Sequence, residues 1–268
     1  MRERWLIDGW ELTQGLVRDV QTRGGLYGAA AMVGANVNVP NRRGDRWRPK
    51  VYGPSVFILN GWFGATSRTE WEGYWDDLLR AIAHPERLLL FTRYLAGGTV
   101  RVASGEVVAV FAPTAMGNLA ATFAMEVHVP DGVWRSQIPA TFSTVSALTS
   151  GQQIPMAVFI GNTAPNDELA VTLTGPMVNP TVAAADGTSS FTYMGTIPAG
   201  ATLTVNSATW AITGVGVAVN PAALSWTVYR YLSLPVAPPT LTPAIVLTAA
   251  GMTAASKIAV VGPLLFLC

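Results

Sequence analysis

Charge is scarce in this chain. Only 12% of its 268 residues are Asp, Glu, Lys or Arg, about half the usual share. The formal net charge is +1, which excludes the strongly basic balance of a dedicated nucleic-acid binder. A single cysteine, Cys268, excludes an internal disulfide. With two histidines far apart, His84 and His128, no Cys/His set for zinc can be built. No stretch of roughly 20 apolar residues runs uninterrupted. The most apolar segment, 244–268, carries Thr248, Thr253, Ser256, Lys257 and Pro263. Residues 1–8 are charged and lack an apolar signal core, which predicts a chain made without an export signal, acting away from membranes.

Half of the residues are hydrophobic and the mean hydropathy is +0.34, so a large core is expected. Charge is also unevenly placed. Residues 1–137 hold 15 Lys+Arg and 13 Asp+Glu, whereas 138–268 hold Arg230 and Lys257 against Asp167, Glu168 and Asp186. That drop predicts a domain boundary near 137. The second domain must then be solvated by Thr, Ser, Asn and backbone, as Thr-rich sheets are.

One strong amphipathic helix is predicted within 66–84. Ser67 followed by Glu70 has capping-box spacing. Trp71, Tyr74, Trp75, Leu78, Leu79 and Ile82 share one face, and Glu72, Asp76, Asp77 and Arg80 the other. His84-Pro85 ends it, with His84 placed to bond the last carbonyls. Residues 88–95, Gly97-Gly98 and 99–111 then read as strand, tight turn, strand.

Before the helix, 5–12 reads as a strand bent at Asp8-Gly9, with 17–22 as its partner, and 31–39 and 51–63 as further strands. Residues 119–129 close that domain at Pro130-Asp131-Gly132. In the charge-poor half, 140–148, 154–161, 169–174, 189–197, 201–205, 209–213, 224–231, 244–248 and 257–267 read as short strands. That texture predicts a β-sandwich.

Chemistry is thinly represented. His128 alternates with Val127 beside a turn and is expected to be half-exposed. Glu70, Glu72, Asp76 and Asp77 crowd the helix, where negative charge near the start complements the helix dipole. Asp167-Glu168 lies in an Asn-Pro-rich loop. No nucleophile elbow and no phosphate- or dinucleotide-binding glycine pattern is present. No catalytic, cofactor or metal residues are assigned, and the chain reads as a non-enzyme. The basic run Arg42, Arg43, Arg46, Arg48 and Lys50 reads most simply as a solvated hairpin loop. Its alternative is an interface for nucleic acid or an acidic partner.

The order of these elements resembles the distal tail (Dit-type, minor tail) proteins of long-tailed phages. The first half carries it in Ile58-Leu59-Asn60-Gly61-Trp62, the helix, the Gly-Gly hairpin, and 124–134 with its Pro-Asp-Gly closure. The second half is similar to that family's galectin-like sandwich in 173–180, with its Gly-Pro and Asn-Pro steps, and in 191–205 around Pro198-Ala199-Gly200. The tail after Leu234, rich in Ala and Thr, departs from the pattern. The resemblance implies a mainly β fold: a β-barrel-like belt domain with one helix over 1–137 and a galectin-like β-sandwich over 138–268. It also implies a virion structural protein at the tail tip or baseplate, made in the host cytoplasm. There a homo-hexameric ring joins tail tube to tail tip, meets the tube, tip and tape measure proteins, and meets DNA only in passage, with no cofactor.

Two other classes stay open. A carbohydrate-binding sandwich used in host-surface attachment would use Trp210, Trp226, Tyr229 or Tyr231, although strand alternation places these in the core. An enzyme would need two carboxylates of separated pKa at the acidic helix start.

Overall fold

A computed structural model describes residues 3–14, 18–24, 31–34, 37–38, 45–46, 51–115, 117, 119–144, 147–227, 232–238 and 241–267. Its contacts divide the chain into two compact units, Met1–Gln137 with Phe266–Cys268, and Ile138–Leu265.

The first unit is built on one bent sheet. Asp8 and Gly9, both at positive φ, turn the chain between the strands Arg4–Ile7 and Trp10–Glu11. Arg4–Ile7 pairs with Leu89–Tyr94. Next comes Val100–Ala115, a 16-residue strand that changes partners along its length. Its first part lies against Leu89–Tyr94 up to the Gly105↔Leu89 pair, and from Glu106 onward it pairs with Ala120–Val129. A register shift between Val107 and Ala109 marks the change. Ala120–Val129 pairs in turn with Ser55–Gly64, and that strand with Arg18–Gly24. Residues 17–22, expected beside 5–12, thus join a strand some forty residues further on: alternation assigned the face and could not assign the neighbour. Of 31–39, the described residues form two short pieces, Met32–Val33 against Val51–Tyr52 and Val37–Asn38 against Asp45–Arg46. The last strand of the chain, Leu265–Leu267, pairs with Val133–Ser136.

Aromatic packing centres this unit. Trp5, Phe57, Phe91 and Trp134 are buried and touch through ring-centroid distances of 5.7 to 6.1 Å, mostly the tilted or edge-on contacts that ring quadrupoles favour. Arg93, 2% exposed, is held by Glu3 and lies over the Trp5 ring. The helix, Arg68–Ile82, sits on Phe63, which meets Trp71 at 5.5 Å, Trp75 at 6.3 Å and Phe123 at 6.1 Å. Its apolar face is only half covered: Leu78 is buried, whereas Leu79 is 38% exposed. Among the described residues no helix is long and apolar enough to cross a membrane.

The second unit is a sandwich. One sheet orders Ala140–Ser143, Lys257–Gly262, Ala170–Thr174, Thr202–Asn206 and Ile212–Val215. The other orders Gln152–Pro155, Ala244–Ala250, Met177–Ala184, Ser190–Tyr193 and Leu224–Trp226, with Thr196–Ile197 beside Met177–Ala184. Inward residues alternate strictly: Val171, Leu173, Leu203, Val205, Ile258 and Val260 are buried. Outward positions carry hydroxyls, and across strands Thr172–Thr204 and Thr181–Thr192 meet at 2.9 and 2.8 Å. This is how a nearly uncharged domain is solvated. One expectation changes here, and one strand is new. Residues 154–161 leave the strand at Pro155 and form a 3-10 turn at Ala157–Phe159. Met177–Ala184 is a strand despite Asn179-Pro180, because Asn179 adopts positive φ and a register shift between Val178 and Thr181 absorbs the step.

Candidate assembly surface

The acidic helix start is occupied by local capping. Ser67 Oγ accepts the Glu70 N–H at 3.2 Å. Glu70 reaches past the cap to Thr66, whose N–H and hydroxyl both donate to Oε2 at 2.7 Å, while the Tyr74 hydroxyl donates to Oε1 at 2.6 Å. The Tyr74 bond first, then those from Thr66, hold the Glu70 carboxyl down at about 2. A carboxylate so firmly ionised is a poor proton donor near neutrality. Glu72 pairs with Arg68 at 2.8 Å and Asp77 with Arg80 at 3.1 Å. Glu70, Glu72 and Asp77 are thus each engaged by a neighbour within or just before the helix.

Each histidine meets one glutamate. His84 Nδ1 lies 3.2 Å from Glu86, and its backbone N–H donates to the Ile82 carbonyl at 2.9 Å. His128, half-buried, lies 2.8 Å from Glu106 across paired strands. Among the described residues no three His, Cys, Asp or Glu side chains converge as metal ligands would. A shallow, open cleft of about 350 Å³ is lined in part by Asp8 and Arg87, which form a 2.6 Å ion pair. Asp8 also accepts the Leu90 N–H at 2.7 Å. Burial pushes the Asp8 carboxyl up, but the bonds from Arg87 and Leu90 outweigh it and hold it below its usual range. These groups clasp the first hairpin to the Leu89–Tyr94 strand.

The surface of most interest is the four-stranded part of the first sheet. It runs from the distal half of Val100–Ala115 through Ala120–Val129 and Ser55–Gly64 to Arg18–Gly24. Beyond Gly105 the long strand has Ala120–Val129 on one side and, among the described residues, no strand on the other. A cleft of about 410 Å³ lies there between Glu106, Val107 and Val108 and the end of the helix with the residues after it, Ile82 to Pro85 and Arg87, so the edge is open beyond Val108 rather than from Glu106. Among the described residues Arg18–Gly24 is the opposite edge, with Ser55–Gly64 as its strand partner. One sheet thus presents two different edges. Val108 and Phe111, on the first edge strand, are 52% and 51% exposed. Apolar edge strands invite pairing with another chain, and the run 107–112, between Glu106 and Pro113, is wholly apolar. Sequence reading assigned this stretch to a hairpin and missed the edge. The available signal was a strand pattern running well past the length of its hairpin partner.

The predicted site residues are placed as follows. Arg42, Arg43, Arg48 and Lys50 lie outside the described residues, and Arg46 is described as part of the Asp45–Arg46 strand. Tyr229 and Tyr231 also lie outside them. Trp226 packs edge-on to Phe191 at 5.5 Å against the sandwich core, as alternation requires. Trp210 departs from that expectation: it is 57% exposed, at φ +56° in the turn between Thr202–Asn206 and Ile212–Val215.

This succession, a bent sheet carrying one helix and then a two-sheet sandwich, is the fold of a phage distal tail protein. The chain is similar over 98% of its length, and 99% of the other, to Dit of phage SPP1, whose crystal structure is described as a paradigm of the hub adsorption apparatus in phages infecting Gram-positive hosts. The identity is 11% and the TM-score 0.66. Two structures of the phage P2 baseplate in its activated conformation, with calcium or strontium, align over 97% and 98% of this chain and 98% of theirs. Their identities are 11% and 12%, and at a TM-score of 0.38 they add nothing to the assignment. No family model and no curated protein matches the chain by sequence.

Proposed function

We infer that this chain is a structural component of a phage tail, a distal tail protein whose copies close into a hexameric ring between tail tube and tail tip. The observation that carries this is the likeness in fold to SPP1 Dit along the whole chain. The two dissimilar edges of one sheet support it independently. A subunit that pairs one edge with the other edge of its neighbour makes a heterologous contact, and such contacts generate rings when the rotation closes. Pairing the edges also removes them, which is what an apolar edge strand requires. The ring holds the tube protein on one side and the tip and tape measure proteins on the other, and DNA passes through its centre. The role is mechanical and needs no catalysis, in keeping with the capped carboxylates and the histidine–glutamate pairs.

The test is to label tails of a phage that encodes this chain with gold-conjugated antibody. Label confined to the junction of tube and tip is expected. Label along the tube, or none on intact tails, overturns the assignment.

A further inference from the structure

We propose that the Trp210 turn of the sandwich is a binding site for an uncharged polysaccharide, with the indole as a platform for one sugar ring. Three observations lead there. First, Trp210 lies at φ +56°, a conformation costly for a residue with a Cβ and rare for bulky ones. The turn itself calls for Gly or Asn. It is nevertheless fixed: the Asn206 N–H donates to the Ala211 carbonyl at 2.9 Å, Asn206 Oδ1 accepts the Thr209 N–H at 3.1 Å, and the Ser207 N–H donates to the Leu169 carbonyl at 2.8 Å. Second, the indole is 57% exposed, so neither turn geometry nor core packing accounts for it. A large aromatic held rigidly in an unfavourable backbone state points to a contact made by the side chain.

Third, the neighbouring chemistry selects the ligand. The outward positions beside the turn are Asn206 and Ala170, then Thr204, Thr172 and Thr213, paired in register across three strands. Apart from the Ala170 methyl these are carboxamide and hydroxyl groups: Thr172 and Thr204 bond each other at 2.9 Å and Asn206 Oδ1 takes the Thr209 N–H, which leaves the Asn206 amide N–H groups, the Thr213 hydroxyl and the second lone pairs to exchange hydrogen bonds with sugar hydroxyls. Between Asp186 and Lys257 the one charged residue is Arg230. Lys257 pairs with Thr174, four residues along the strand from Ala170, so it stands about 13 Å away at 3.3 Å per residue. Asp167 and Glu168 immediately precede Leu169, which bonds the turn, and they disfavour an anionic ligand. Arg230 lies outside the described residues; among the described ones a uronate, sulfate or phosphate polymer finds no cation beside the turn, whereas a neutral pyranose finds a flat apolar face and uncharged polar groups. This inference stands apart from the ring.

The full chain is titrated with neutral hexasaccharides of glucose, galactose and N-acetylglucosamine, and with hexagalacturonate as the anionic control, followed by ligand-observed NMR. At least one neutral oligosaccharide is expected to bind, with hexagalacturonate silent. Trp210→Asn keeps a residue that tolerates the turn, so its melting temperature is expected to be unchanged or raised while affinity falls on the order of tenfold or more. Val215→Ser, on the same edge strand, is expected to bind as wild type does. The proposal is overturned if no neutral hexasaccharide binds at roughly 10 mM, if binding survives Trp210→Asn, or if hexagalacturonate binds equally. It is also overturned if Trp210→Asn leaves glycan binding intact but blocks incorporation into tails, which would make the indole a protein contact.

Discussion

A methyl group at Gly61 is expected to loosen the seat of the helix. Gly61 lies in Ser55–Gly64, paired with Val20 on one side and Phe123 on the other. A Cβ there falls 2.5 Å from Phe123 Cζ and 2.7 Å from the Asp19 carbonyl oxygen. The carbonyl is ladder backbone and cannot step aside without disturbing the Arg18–Gly24 strand. The Phe123 ring is backed by Phe63, which carries Trp71 and Trp75 of the helix. Overpacking of this kind costs about 1–3 kcal/mol, while replacing Gly with Ala returns about 0.4–1 kcal/mol through the unfolded chain. Gly61→Ala is therefore destabilising by roughly 1–2 kcal/mol. Urea unfolding followed by tryptophan fluorescence reads this directly, because seven of the nine tryptophans lie in residues 1–137. Gly97→Ala is the control: nothing stands within 4 Å of its Cβ position, and it should be neutral or slightly stabilising. A Gly61→Ala protein as stable as wild type would refute the close approach and the packing order built on it.

Ser67→Ala removes the bond that caps the helix and should cost about 1 kcal/mol in the same unfolding assay. Glu70 has a folded pKa of about 2 against 4.5 unperturbed, so the stability it contributes is complete above pH about 4.5 and lost as pH falls through about 2. Wild type and Glu70→Gln should thus differ in melting temperature at pH 6 and converge toward pH 2; a constant gap over that range would contradict the Thr66 and Tyr74 bonds. Phe111→Lys puts a charge on an exposed edge strand. It should abolish ring assembly by native mass while shifting monomer stability by no more than about 0.5 kcal/mol; rings of normal mass would remove this edge from the interface.

Local chemistry made parts of the fold legible. Ser67 and Glu70 announced the start of the helix, and Gly97-Gly98 the hairpin turn, where Gly98 takes φ +86°. Strict alternation marked 169–174 and 201–205, which form Ala170–Thr174 and Thr202–Asn206. What failed was long-range or ambiguous. The partner of Arg18–Gly24 is set by packing, which no local pattern records. The apolar run from Met156 to Ile160 has no period to separate strand from turn. No strand was read across Asn179-Pro180, since nothing in sequence says that a bulge will accommodate the proline. At the assembly surface, Phe111 was visible as one more apolar strand residue, and its strand becomes an edge only because Leu89–Tyr94 stops at Gly105. Trp210 and Trp226 look alike in sequence, and a single positive φ separates the exposed indole from the packed one.

The ring is tested most directly by native mass measurement of the purified chain, alone and mixed with its tail tube protein, with negative-stain images of the same samples. Six copies of a 28.4 kDa chain predict a species of about 170 kDa with six-fold symmetry and an open centre. A 28.4 kDa monomer in both samples, or a closed assembly without a central opening, would contradict the account.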